Sequence, residues 1–114
     1  MVTLYGIPNC DTMRKARKWL DQHNIEYIFH DFRKDGIDAG QLENWSKQVG
    51  WETLLNRRGT TWRQLPDAER ENLDARKAIR LMTEHPAMIK RPVLVMNRKC
   101  TVGFQESTYQ ALFT

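Results

Sequence analysis

No stretch of this chain approaches the roughly 18 consecutive apolar residues of a membrane-spanning helix, so a bilayer is not its expected setting. The first residues run straight into a strand-like apolar segment, with no basic patch and long apolar run before it. That argues against a secretory leader and for a cytoplasmic protein. Cysteine is scarce: only Cys10 and Cys100 are present, and His23, His30 and His85 are scattered, with no metal-ligand spacing around any of them. We therefore expect no metal site and no bound cofactor. A chain of 114 residues can bury a core as one domain without disulfide staples. A Cys10–Cys100 disulfide is compatible with the sequence, but in a reducing compartment it would be a catalytic or accidental state.

Helix-turn-helix and zinc-finger spacings are missing too, as are internal repeats and low-complexity segments. The net charge of +4 permits anionic partners. Its basic residues are spread along the chain, however, and Arg14, Lys15, Arg17 and Lys18 alternate with apolar positions of one helix. They read as a solvated helix face, and nucleic acid is not an expected partner.

What is present gathers around Cys10. A short apolar run, Val2 to Ile7, is followed by the turn residues Pro8 and Asn9, then Cys10, then a segment of helical spacing, so Cys10 falls where a strand turns into a helix. The first N–H groups of a helix have no intrahelical partners and carry partial positive charge, which favours thiolate over thiol. A thiol so placed can fall from about 8.5 into roughly the 3.5–7.5 range, and thiolate is the nucleophile. Free cysteine is also commonly a small buried hydrophobe, but these flanks place Cys10 at a surface junction. Thr12 could donate a hydroxyl or first-turn N–H to the sulfur, or simply start the helix. Asp11 opposes the thiolate by its charge.

Downstream, Met13, Ala16, Trp19 and Leu20 mark one helix face from about Asp11 to His23, with Asn24 as a left-handed terminator. Ile25 to Phe32 reads as a strand, so strand, helix and strand form a right-handed βαβ unit with Cys10 at the carboxyl end of its first strand. Asp38 caps a helix carrying Leu42, Trp45 and Val49 and closed by Gly50. Residues 51–62 read as a loop containing Arg57 and Arg58. Pro66-Asp67 starts a short helix, and Asp74 caps another through Ala78, Ile79, Leu81 and Met82. Val93–Met96 and Thr101–Phe104 form a hairpin across Asn97-Arg98-Lys99, and a last helix spans about Glu106 to Phe113. The expected fold is α/β: a thioredoxin-like mixed four-stranded sheet, βαβ…ββα. Its core takes in about 1–36 and 90–114, with an all-helical insertion over about 37–89. Cys100 opens the second hairpin strand, and nothing directs it toward Cys10. The four tryptophans read as packing residues.

Three segments in order, Gly6-Ile7-Pro8-Asn9-Cys10-Asp11-Thr12, Leu54-Leu55-Asn56-Arg57-Arg58-Gly59 and His85-Pro86-Ala87-Met88-Ile89-Lys90-Arg91-Pro92-Val93, followed by Val102-Gly103-Phe104, resemble the arsenate-reductase and Spx-like family. The likeness is nearest to its small bacterial members described as glutathione-dependent thiol reductases. The resemblance implies that Cys10 is the redox cysteine, that Arg91 holds an anion, and that Pro92 is a cis-proline facing the thiol. It also places Arg57 or Arg58 near a second anion-binding arginine and implies that Asn9, Thr12 and the backbone around Pro92 cradle the sulfur and glutathione. On context alone, Arg91 could equally be an exposed ion-paired residue.

A third arginine of the arsenate reductases would fall at or near Phe104 and is absent. Met13 stands where many Spx-type regulators carry the second cysteine of a redox switch. The implied function is a glutathione-dependent monothiol reductase, with glutathione as co-substrate and a disulfide or oxidised substrate as partner, and the chain is expected to be a monomer. The alternatives are an Spx-like binding module and a glutathione-dependent arsenate reductase.

Overall fold

The computed structural model covers residues 1–114 and divides into two compact units, residues 1–31 with 91–114, and residues 32–90. The first unit is built on a four-stranded sheet of β1 (Val2–Gly6), β2 (Tyr27–Asp31), β3 (Val93–Met96) and β4 (Lys99–Val102), in the order β2-β1-β3-β4. Strands β1 and β2 are parallel, while β3 runs antiparallel to both β1 and β4. That pairing brings the end of β1, the start of β3 and the end of β4 to one end of the sheet.

Helix α1 (Asp11–Gln22) buries Met13, Ala16, Trp19 and Leu20. This is the stripe its spacing predicted, and it packs with Val2, Leu4, Leu94 and Tyr109 into one core. Asn24, at φ 56°, ends the helix: its N–H bonds to Asp21 O at 3.1 Å, and the Ile25 N–H to Leu20 O at 3.0 Å. These are the paired bonds of a left-handed helix stop. Of the four basic residues on α1, Arg14, Lys15 and Lys18 are exposed. Arg17 differs, donating from Nε to the Tyr27 hydroxyl at 3.0 Å with its guanidinium 4.5 Å from the centre of the Phe29 ring. The last helix, α8 (Glu106–Leu112), contributes Tyr109 to the core; its phenol meets Phe104 and Trp19 edge-on.

The second unit is helical: α2 (Phe32–Asp35), α3 (Ala39–Val49), α4 (Trp51–Leu54), α5 (Thr60–Arg63), α6 (Asp67–Arg70) and α7 (Ala75–Glu84), then a 3-10 turn at Pro86–Met88. Asp38 and Asp74 cap as expected, each accepting an N–H at 2.8 Å, from Gln41 and Lys77. Gly50, at φ 88°, closes α3. Leu42, Trp45, Leu54, Leu55, Ala78, Leu81, Met82 and Met88 are buried.

Three local expectations are corrected. Residues 51–62 contain the helical turns α4 and α5; four-residue turns are too short to show a period. The second strand is Tyr27–Asp31, shorter at both ends than the expected Ile25–Phe32, and Phe32 opens the helical turn α2. The hairpin turns on Asn97 and Arg98 alone, both at positive φ, so Lys99 belongs to β4 and the strand ends at Val102.

Candidate functional site

Cys10 occupies the N-cap of α1 in extended backbone conformation, φ −115° and ψ 133°. It is half-buried. The Cys10 side chain makes no capping hydrogen bond to α1; the backbone N–H groups of Met13 and Thr12 favour the charged form of the sulfur. The Arg91 side chain adds a hydrogen bond and a positive charge. Burial is the largest single influence on this thiol and raises its pKa. The Met13 N–H, the Arg91 bond, the Thr12 N–H and the Arg91 charge together outweigh it, so the pKa ends below the ordinary thiol value.

The sequence leaves Thr12 open between a donor to the sulfur and a plain helix start, and does not point to Met13. Counting from an N-cap at Cys10, however, Met13 is the third helical residue, a standard donor to a capping atom. The opposition expected from Asp11 is met by Arg14, which binds its carboxylate as an exposed pair.

Arg91 and Pro92 open β3, and the peptide between them is cis. Pro92 is buried. Its carbonyl accepts the Gly103 N–H at 2.8 Å, and Val93 pairs with Val102. Antiparallel pairing of β3 with β1 thus carries Arg91 to the Cys10 end of the sheet. Cys10, Thr12 and Arg91 are brought together in this way. Asn9, next to Cys10, is exposed, with its backbone in the left-handed region at φ 64°.

Arg57 and Arg58 lie in the helical unit, both exposed. The Arg57 guanidinium sits 5.4 Å from the Trp51 ring centre and 6.0 Å from that of Trp62, which gives it a stacking role within that unit. Arg58 donates its backbone N–H to the Asn56 side chain at 3.0 Å. Cys100 is buried in β4 opposite Val95, and neither cysteine is in a disulfide. Burial pushes the Cys100 thiol up, the reverse of Cys10. No helix is long and apolar enough to cross a membrane.

A mixed sheet in this order, with a cysteine capping the helix after the first strand and a cis-proline opening the third, defines a thioredoxin-like protein. Residues 5–112 match the family model described as the ArsC family, and the chain belongs to that family. A solved protein described as YFFB is 49% identical over the full length of both chains, with a TM-score of 0.98. An arsenate reductase (ArsC) related protein from Brucella melitensis is 54% identical over 98% of this chain and 93% of its own, with a TM-score of 0.78. The global transcriptional regulator Spx of Bacillus subtilis is 27% identical over 93% of this chain and 82% of its own length.

Proposed function

We propose that this chain is a thiol–disulfide oxidoreductase that works with a single cysteine and takes glutathione as its co-substrate. The observation that carries the reading is Cys10 at the N-cap of α1, where the first-turn N–H groups and Arg91 favour its thiolate and lower its pKa. A lowered pKa raises the share of thiolate at a given pH, and thiolate attacks disulfide sulfur. The Cys10 thiolate attacks the glutathione sulfur of a mixed disulfide; a bond forms between the two sulfurs, and the substrate leaves as its thiolate. A second glutathione thiolate then attacks the sulfur of the glutathione bound to Cys10, releasing oxidised glutathione and restoring the Cys10 thiolate.

An external thiol fits this chain because it offers no internal one. Position 13 is a buried methionine, and Cys100 is buried with a raised pKa. Arg91 has the planar fork that pairs with carboxylates such as those of glutathione.

The test is consumption of reduced glutathione with a small mixed disulfide as substrate. Turnover by wild type and its loss in a folded Cys10→Ser variant are expected. Equal turnover by Cys10→Ser overturns the reading, and turnover of arsenate in place of the disulfide reassigns the site to oxyanion chemistry.

A further inference from the structure

Five residues other than glycine have positive φ, and four of them are asparagine: Asn9, Asn24, Asn72 and Asn97, with Arg98 the fifth. Asparagine tolerates the left-handed region better than other side chains bearing a Cβ. Asn24 is used for this at the end of α1, and Asn97 in the hairpin turn, where the chain must reverse. Asn9 has the same conformation, φ 64°, immediately before Cys10. Its amide is exposed and engages no side chain or backbone group. Asn9 therefore holds its place through its backbone.

We propose that Asn9 is a positioning residue. Its left-handed backbone turns the chain out of β1 so that Cys10 enters α1 as an extended N-cap, with its sulfur facing the Thr12 and Met13 N–H groups and Arg91. This rests on the reading of Cys10 as the reacting thiol and replaces a direct role for the Asn9 amide with a conformational one. A residue that resists positive φ at position 9 must rotate the peptide before Cys10. That rotation carries the sulfur away from its three donors without removing any of them. The charged group that acts on the sulfur is Arg91; it and the exposed Asp11–Arg14 pair in the first turn of α1 persist in the variants below.

The experiment measures the rate of Cys10 alkylation by iodoacetamide against pH, followed by intact mass, in wild type, Asn9→Gly, Asn9→Val and Asn24→Val. Glycine adopts positive φ freely and lacks the amide, whereas valine is β-branched and resists that region. Asn24→Val places the same defect at the far end of α1. The expected result is a wild-type midpoint in Asn9→Gly and Asn24→Val, and in Asn9→Val a midpoint moved up toward the ordinary thiol value near 8.5. Circular dichroism of each variant at the labelling pH establishes that it is folded. If a variant is unfolded at 25 °C, labelling is repeated at a lower temperature where it folds.

A midpoint that moves as far in Asn9→Gly as in Asn9→Val shows that the amide acts, and overturns the proposal. So does an unmoved midpoint in Asn9→Val, or an equal shift in Asn24→Val. Alkylation needs no disulfide substrate, so these failures leave the oxidoreductase reading standing, while a wild type without turnover fails that reading and not this one.

Discussion

The thioether of Met13 fills the space into which a side chain on Gly6 would project: a Cβ there would lie 2.3 Å from the Met13 sulfur. Gly6 ends β1, and Met13 is in the first turn of α1, so this contact closes the strand-to-helix turn that carries Cys10. Gly6→Ala must displace the methionine, whose far end is flexible, at a cost of about 1–3 kcal/mol by overpacking. In a Met13→Ala background the obstacle is gone, and the cost of Gly6→Ala should fall by more than half. Urea unfolding of the four proteins in this cycle checks it; equal costs in both backgrounds contradict the contact.

Arg91→Ala removes both a hydrogen bond and a charge from the Cys10 sulfur. The midpoint of Cys10 alkylation against pH should move up toward the ordinary thiol value of about 8.5. Arg91→Lys, which keeps the charge but not the planar fork, should fall between the two. An unmoved midpoint in Arg91→Ala would assign the depression to the helix N–H groups alone.

The same depression has a sign in stability. The folded state binds the Cys10 proton less tightly than the unfolded state does. The resulting stabilisation is complete above the unfolded pKa, about 8.5, and is lost as pH falls through the lower folded value. The unfolding free energy of wild type minus that of Cys10→Ser should therefore rise with pH through that window and stay level below it, whichever protein is the more stable. Urea unfolding at a series of pH values reads this directly, and a signed difference that falls with rising pH contradicts the lowered pKa.

Tyr109 is fully buried, and its hydroxyl has no hydrogen-bond partner. Burial also pushes its ionisation well above the ordinary phenol range. An unmade bond of this kind costs about 1–3 kcal/mol. Tyr109→Phe removes the stranded group and keeps the ring against Phe104 and Trp19, so thermal unfolding should occur at the same or a higher temperature. A marked drop would reveal a bond made by the hydroxyl in solution.

Much of the fold is legible in the sequence where local rules act alone. The stripe on α1, the caps at Asp38 and Asp74 and the stop at Asn24 are each fixed by residues within one or two turns. The helical turns at Trp51–Leu54 and Thr60–Arg63 are not, because four residues carry no period and the elements are held by neighbours. The hairpin boundary slipped because Arg98 takes a left-handed turn position that sequence rules give to glycine. At the site, Cys10 could be located from the strand-to-helix transition by itself. Its pairing with Arg91 could not: strand order, rather than spacing, brings a residue so distant in the chain to the thiol, and family resemblance had to suggest it. The approach of Arg57 to two tryptophan rings was invisible for the same reason, since Trp51 and Trp62 sit in separate short helices.

The central claim is that Cys10 alone exchanges with glutathione. Intact mass after oxidised glutathione, and again after reduced glutathione, tests it most directly in wild type and Cys10→Ser. The account predicts one glutathione added to wild type, none to the variant, and full removal on reduction. Cys10 left unmodified under conditions that label Cys100 would contradict it.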